Sequence, residues 1–341
     1  MNFYLIADIG GTNARYALVN CETLEFAFEK KYLCNDYAEF HESLDHYIKD
    51  LSTQDNIDFK TSVKKACIAI AAPVEEDFVQ MSNYDWGFSI SKMKSYFEFE
   101  ELRVVNDFLA VAASVPYFLE QIEKGQSLDS FGLLKIGGAE SKRGSAISVM
   151  GPGTGLGMSY LVDIDGDYRA FATEASDASI AVHTQRQFDI VKKIQELDPD
   201  IFHVNIESLV SGLGLERMYE ALKAIDGVDN DIKEAPDIVE AALNETCPLA
   251  VEALDHFCAL LGSSAGNHAL TLNATGGVFI AGGIIPRFAD YFLKSSFHES
   301  FKSKGRKDRP YYYKFMESIP IYLMTHPNPG FLGLRELVKK L

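Results

Sequence analysis

A pattern of strand, glycine turn, strand and strand occurs twice in this chain, about 140 residues apart, and constrains its fold more than any other feature. In the first copy an apolar run from Phe3 to Ala7 leads into Asp8-Ile-Gly-Gly-Thr-Asn13. A second apolar run follows from Ala14 to Val19, and residues 24–33 read as a third strand. In the second copy the run Ala146 to Met150 leads into Gly151-Pro-Gly-Thr-Gly-Leu-Gly157. Met158 to Val162, the turn Asp165-Gly-Asp167 and a strand from Tyr168 complete it. Solenoid repeats have far shorter periods, so the spacing predicts two related α/β halves. The length of 341 residues suits two domains.

The remaining elements follow from periodicity and punctuation. Tyr37, Phe40, Leu44, Tyr47, Ile48 and Leu51 recur at helical spacing. Ala66 to Ala72 reads as a buried strand closed by Pro73. Ser89 caps a short helix through Phe97. Leu102 to Val105 is a strand ending at Asn106-Asp107, with a helix from there to about Ile122. Residues 180–270 are mostly helical, Gly276 to Gly283 is a strand, and Pro286 opens a helix. A strand at Pro320 to Met324 and an amphipathic helix over 331–340 end the chain.

Lysine plus arginine is 32 against 49 for aspartate plus glutamate, a net charge of −17. Such a chain repels phosphate backbones and anionic membranes at long range, so neither a nucleic-acid nor a membrane partner is expected. Any anionic ligand must be gripped locally, by backbone N–H groups, a metal ion or a few placed cations. The basic run 302–309 reads as a solvated loop. Residues 256–286 carry no Asp, Glu, Lys or Arg, but glycine-rich interruptions make them a buried helix and strand and not a membrane span. Five scattered cysteines without a CxxC pair read as reduced thiols of a cytoplasmic protein. The start MNFYLIADIGG lacks a basic n-region and a cleavage site, so no signal peptide is expected.

The chemistry concentrates at the two glycine turns. Gly10 and Gly11 let backbone approach a ligand closely, and successive N–H groups in such a turn make an anion-binding concavity. Thr12 adds a hydroxyl, and Asp8 adds a carboxylate able to order a hydrated magnesium ion. Four glycines in seven residues at 151–157 serve the same end, although no Gly-Lys-Ser/Thr follows to make a P-loop. Strand character resumes after them, where a dinucleotide fingerprint needs a helix. Two such turns, each with a threonine, fit a clamp on a polyphosphate. Asp107, beyond a strand's carboxyl end, is either a general base or the N-cap of the following helix. Glu174 and Glu207 are acidic candidates whose alternative is a solvated surface. No HExxH, nucleophile elbow or cysteine–histidine signature occurs.

The run LIADIGGTNARYALV resembles the first phosphate motif of the bacterial glucokinase family, within the sugar kinase, Hsp70 and actin superfamily. The resemblance continues through CIAIAAPV, MSNYDWGFSI, VVNDFLAVA, GPGTGLG, ESLVSGLGL, GGVFIAGGIIPRF and HPNPGFLG, in order over nearly the whole chain. It implies two ribonuclease H-like, actin-like ATPase domains with a sugar and ATP cleft between them, here 1–115 plus 326–341 and 116–325. It implies transfer of the γ-phosphoryl group of MgATP to the 6-hydroxyl of glucose. Asp107 would be the base, and Asn106, Asn83, Glu174, Asp177 and Glu207 would surround the sugar. Asp8, Gly10, Gly11, Thr12, Asn13, Gly151, Gly153, Thr154 and Gly155 would hold phosphates and Mg²⁺, with Gly282 and Gly283 near adenosine. A cytoplasmic, glycolytic homodimer goes with the family.

One departure stands out. The family's Glu-Gly-Gly-His is here Glu174-Ala-Ser-Asp177, which replaces a neutral donor with an anion and adds two Cβ atoms. Sugar identity is therefore the expectation most exposed to test. The alternatives are a kinase for another hexose or an N-acetylhexosamine, and a non-catalytic sugar-responsive regulator. Domain closure on sugar is expected to exclude water and keep ATPase activity low without it.

Overall fold

The computed structural model describes residues 2–74, 76–81 and 86–341. Asn83, an expected sugar contact, lies outside the described residues. The chain forms two compact units, residues 1–127 with 326–341, and residues 128–325. The helix Val115–Glu123, which a boundary at 115 would give to the larger domain, packs with the C-terminal helix and falls in the first unit.

In the first unit β1 (Phe3–Ile9), β2 (Asn13–Asn20) and β3 (Phe26–Leu33) run antiparallel in succession. β4 (Val63–Ile70) joins β1 in parallel. After a small hairpin of β5 (Phe78–Gln80) and β6 (Gly87–Ser89), β7 (Glu101–Asn106) joins β4 in parallel. The sheet order is thus β3-β2-β1-β4-β7. Side chains of a strand alternate between faces. Tyr16 of β2 therefore stacks on Tyr47 of the helix Phe40–Gln54 on one face. Phe26, paired with Val19, meets Phe331 of the helix Pro329–Val338 on the other. Both faces are covered, which is why residues 3–7 of β1 and 66–70 of β4 form unbroken apolar runs.

The second unit repeats this plan. After β8 (Leu133–Gly137) come β9 (Ile147–Pro152), β10 (Leu156–Ile164) and β11 (Asp167–Ala172), then β12 (Gly277–Ile280) and β13 (Ile321–Met324). The order is β11-β10-β9-β12-β13-β8, so three antiparallel strands are again followed by two parallel ones, with β8 added at the edge. Asp165 and Gly166 both take positive φ, +56° and +86°, the two-residue turn that matches strand twist. The uncharged stretch becomes the end of the 25-residue helix Pro248–Leu272 followed by β12. Its Gly262 and Gly266 lie against the carbonyls of Phe297 and Phe301, where a Cβ would come within 2.2 and 2.5 Å. Among the described residues no helix is long and apolar enough to cross a membrane.

Four local readings change. The helix expected from Asp107 to Ile122 is two, Asp107–Ala113 and Val115–Glu123, because Pro116 cannot donate across the join and starts a new helix. The strand expected to reach Gly283 stops at Ile280, since Gly282 turns to φ +91°. Pro286 opens a single 3₁₀ turn before the helix Ala289–Lys294. The edge strand β8 is missed because only its first residue is fully buried.

Candidate active site

In the first unit the catalytic candidates gather at the carboxyl ends of β1 and β7. Asn106 is the helix cap: its Oδ1 accepts from the amides of Phe108 and Leu109 at 2.9 and 3.2 Å, and its Nδ2 donates to Ala72 O at 3.3 Å. Asp107 is released from capping and becomes the first residue of the helix. Its Oδ1 accepts from Phe108 N at 2.7 Å, and its own backbone amide also bonds the carboxyl, so both of its internal donors are main-chain amides at the helix start. Burial pushes this carboxyl up to about 6. The Phe108 amide acts against that rise, and the nearby negative charge of Asp8 adds to it. Asp8 is itself raised by burial, with Arg15 opposing. The Arg15 guanidinium lies 3.7 Å from its carboxylate, because the two residues face each other in the β1–β2 register.

The turn between β1 and β2 is closed by Gly10 N donating to Asn13 O at 3.0 Å. Thr12 is exposed at its tip. Gly10 has ordinary φ, and a Cβ there would meet only Asn13 O at 3.7 Å. The fold therefore does not itself demand glycine at this position.

In the second unit one loop gathers nearly every expected residue. Gly153 N donates to Gly155 O at 2.8 Å, closing the turn between β9 and β10 with Thr154 exposed at its tip. Glu207 Oε2 accepts from Leu156 N at 2.7 Å. That carboxylate fills the space beside Gly155, where a Cβ would come within 2.6 Å of it. Gly212, at the start of the Ser211-capped helix Gly212–Asp226, donates to Gly153 O at 2.8 Å. Gly282 is pressed on the same loop, with room for a Cβ denied by Pro152 O at 2.3 Å, whereas Gly283 is open. Glycine at 282 is thus set by backbone packing and by its φ of +91°, whereas at 155 the only obstacle is the mobile end of the Glu207 side chain.

Residues 174–177 come to this loop by way of Glu207, whose amide donates to Ser176 O at 3.0 Å. Glu174 is exposed and precedes a 3₁₀ turn, Ala175–Asp177. The Asp177 carboxylate accepts from Asn205 Nδ2 at 2.5 Å, and Asn205 Oδ1 in turn accepts from Ser208 N and Oγ. His203 Nε2 is 2.9 Å from Asp177 O. Asn205 and His203 were not singled out in the sequence. They have no motif of their own and join the site only because 176–180 and 204–207 pair as an antiparallel bridge.

A second feature missed in the sequence is a cavity of about 290 Å³ beside Gly283. Val239 and Leu243 of the helix Ala235–Leu243 wall it together with Ile284 and Phe288, and Glu240, Asn244 and Arg287 supply polar groups. Its one sequence signal is that Ile284 follows the Gly282-Gly283 pair. Among the described residues no cluster of three or more His, Cys, Asp or Glu forms a ready metal site.

Comparison with known proteins agrees across the chain. A protein-family model described as Glucokinase matches residues 5–341. A glucokinase from Photorhabdus laumondii is 36% identical over 334 residues, covering 98% of this chain and 96% of that protein. The crystal structure of a glucokinase from an Antarctic psychrotroph superposes with a TM-score of 0.83 at 31% identity, covering 100% of both chains. A ROK family glucokinase from Streptomyces griseus, solved with glucose and AMPPNP, shares the fold at a TM-score of 0.61 and 17% identity, again with 100% coverage of both.

Proposed function

The chain belongs to the glucokinase family, enzymes of the actin-like ATPase fold that phosphorylate glucose at the expense of ATP, and from that premise we propose how its residues divide the work. Asp107 is the general base that takes the proton from the 6-hydroxyl as its oxygen attacks the γ-phosphorus. The observation that carries this is the carboxyl itself, buried at a strand end with only main-chain amides as internal donors and pushed up to about 6. A base with a pKa close to working pH is deprotonated when needed and still able to hold a proton. The proton moves from the sugar hydroxyl to Asp107, the new bond forms between that oxygen and phosphorus, and the phosphorus–oxygen bond to ADP breaks.

The two glycine turns supply backbone donors to the phosphates. Gly10, Gly11, Thr12 and Asn13 act in the first unit, and Gly151, Gly153, Thr154 and Gly155 in the second. The open space at Gly10 and Gly153 supports this, since close approach by phosphate oxygens is what a bare Cα permits there. Magnesium carried on the nucleotide suits Asp8 through water, a single carboxylate with few protein ligands, and when bound it would neutralise charge on the transferring group. Glu174, Asp177 and Glu207 are acceptors only, as the hydroxyl donors of a hexose require. Asn106 holds the Asp107 helix start and retains one amide hydrogen for the sugar. Five free thiols suit the reducing, ATP-supplied cytoplasm.

The test is coupled ADP production across a panel of hexoses and N-acetylhexosamines at fixed ATP. Glucose-dependent turnover exceeding that with every other sugar is expected. Turnover with an N-acetylhexosamine and none with glucose would overturn the sugar assignment.

The cavity beside Gly283 is the adenine site in this reading, lined mostly by apolar side chains with Glu240, Asn244 and Arg287 as its polar groups. Val239→Trp is expected to fill it and raise the KM for ATP about ten-fold or more, with the KM for glucose little changed. An unchanged ATP KM would place the base elsewhere.

A further inference from the structure

The first glycine turn is held from behind by one residue. Cys34 lies just past the end of β3, beside the last β2–β3 pair, Asn13 with Leu33. It is fully buried. Its amide donates to Thr12 O at 2.9 Å, and its thiol donates to Gly10 O at 3.3 Å. Burial pushes the thiol up to about 11, so it remains protonated and a donor at neutral pH.

These two bonds have a consequence for charge. Carbonyl oxygens are the negative ends of peptide dipoles and would repel a phosphate. Both the Gly10 and the Thr12 carbonyls are turned onto Cys34. A trans peptide is planar, with its C=O and N–H opposed. Drawing the Gly10 carbonyl toward Cys34 therefore points the Gly11 N–H the other way. A turn built to bind anions needs this arrangement, and here the chain supplies it from a residue outside the turn.

We propose that Cys34 is a positioning residue for phosphoryl transfer, its thiol and amide holding the Gly10 and Thr12 carbonyls back so that the Gly11 amide meets a phosphate of ATP. The inference rests on the reading of residues 10–13 as a phosphate turn. The thiol is the testable half, because substitution leaves the Cys34 amide in place.

The experiment is steady-state kinetics of the full chain, with ATP and glucose varied separately, for the wild type, Cys34→Ala, Cys34→Ser and Thr12→Val. Cys34→Ala is expected to raise the KM for ATP about three- to ten-fold, the net worth of one hydrogen bond, and to leave the KM for glucose within about two-fold. Cys34→Ser keeps a hydroxyl donor and is expected to recover most of the loss. Thr12→Val probes the turn itself and is expected to raise the KM for ATP whatever residue 34 does. If it raises that KM while Cys34→Ala does not, the proposal for Cys34 falls and the phosphate turn stands. If Cys34→Ala weakens both substrates alike and serine does not rescue it, the residue is only structural and the proposal also falls. If Thr12→Val leaves the KM for ATP unchanged, the phosphate turn itself is wrong and the role of Cys34 falls with it.

Discussion

Asp107→Asn is expected to lower kcat with glucose by about 10²- to 10⁴-fold while leaving both KM values near those of the wild type. The substitution is nearly isosteric and keeps an oxygen to accept from Phe108 N, so the helix start survives. What disappears is the ability to take a proton. The pH dependence follows from the same group. With the carboxyl near 6, kcat/KM is expected to fall about ten-fold per pH unit below that value, as the base becomes protonated and useless. The acid limb should vanish from whatever activity the asparagine variant retains.

Stability should move in the opposite direction to activity. The folded-state pKa of Asp107 is raised above its ordinary value, so between about 4 and 6 the native state holds more proton than the unfolded chain. Folding stability therefore declines as pH rises through that window, and above it the ionised carboxylate is a standing cost. Removing the charge is expected to raise Tm at pH 7.5, measured by thermal denaturation. A variant that is inactive and also less stable would mean that Asp107 serves the scaffold and not the chemistry.

Much of this architecture was legible in the sequence, for physical reasons that can be named. The repeated pattern was readable because β1 and β9 are central strands whose apolar runs end abruptly in glycine. The Asp165-Gly166 hairpin was readable because only small or polar residues tolerate two positive φ values in succession. The sequence offers Asp107 as base or helix cap, and the structure gives the cap to Asn106, which leaves the base as a proposal for Asp107. Other parts were not legible because they depend on distant residues. Nothing local to Glu207 says that its carboxylate will occupy the space beside Gly155. Nothing local to Asn205 says that it will grip Asp177. The cavity beside Gly283 joins a helix to a loop about 40 residues later, beyond any periodicity. Cys34 looked like one of five unremarkable thiols until β3 brought it behind the glycine turn.

The helix that carries Asp107 is positioned by a glycine at the other end of the chain, and Gly333→Ala is expected to damage both stability and turnover. Gly333 lies in the helix Pro329–Val338, where a Cβ would fall 1.7 Å from Ala110 O and 3.0 Å from Ser114 N. Both are backbone atoms of the segment that begins at Asp107, so no side chain can rotate to relieve the clash. The helices must move apart, at an overpacking cost of about 1–3 kcal/mol. Ala110 is within one helical turn of Asp107, so the displacement reaches the carboxylate. An ångström of misplacement at a reacting group can cost about 10²-fold in rate. Gly266→Ala is the control. It forces a clash of the same kind, though milder, with Phe301 O at 2.5 Å, on a helix of the second unit that carries no expected catalytic group. Both variants are expected to melt earlier, but only Gly333→Ala should lose kcat by more than about ten-fold at a temperature where both remain folded. Equal losses of kcat in the two would refute a specific link between Gly333 and the base, as would a Gly333→Ala enzyme that melts earlier yet turns over normally.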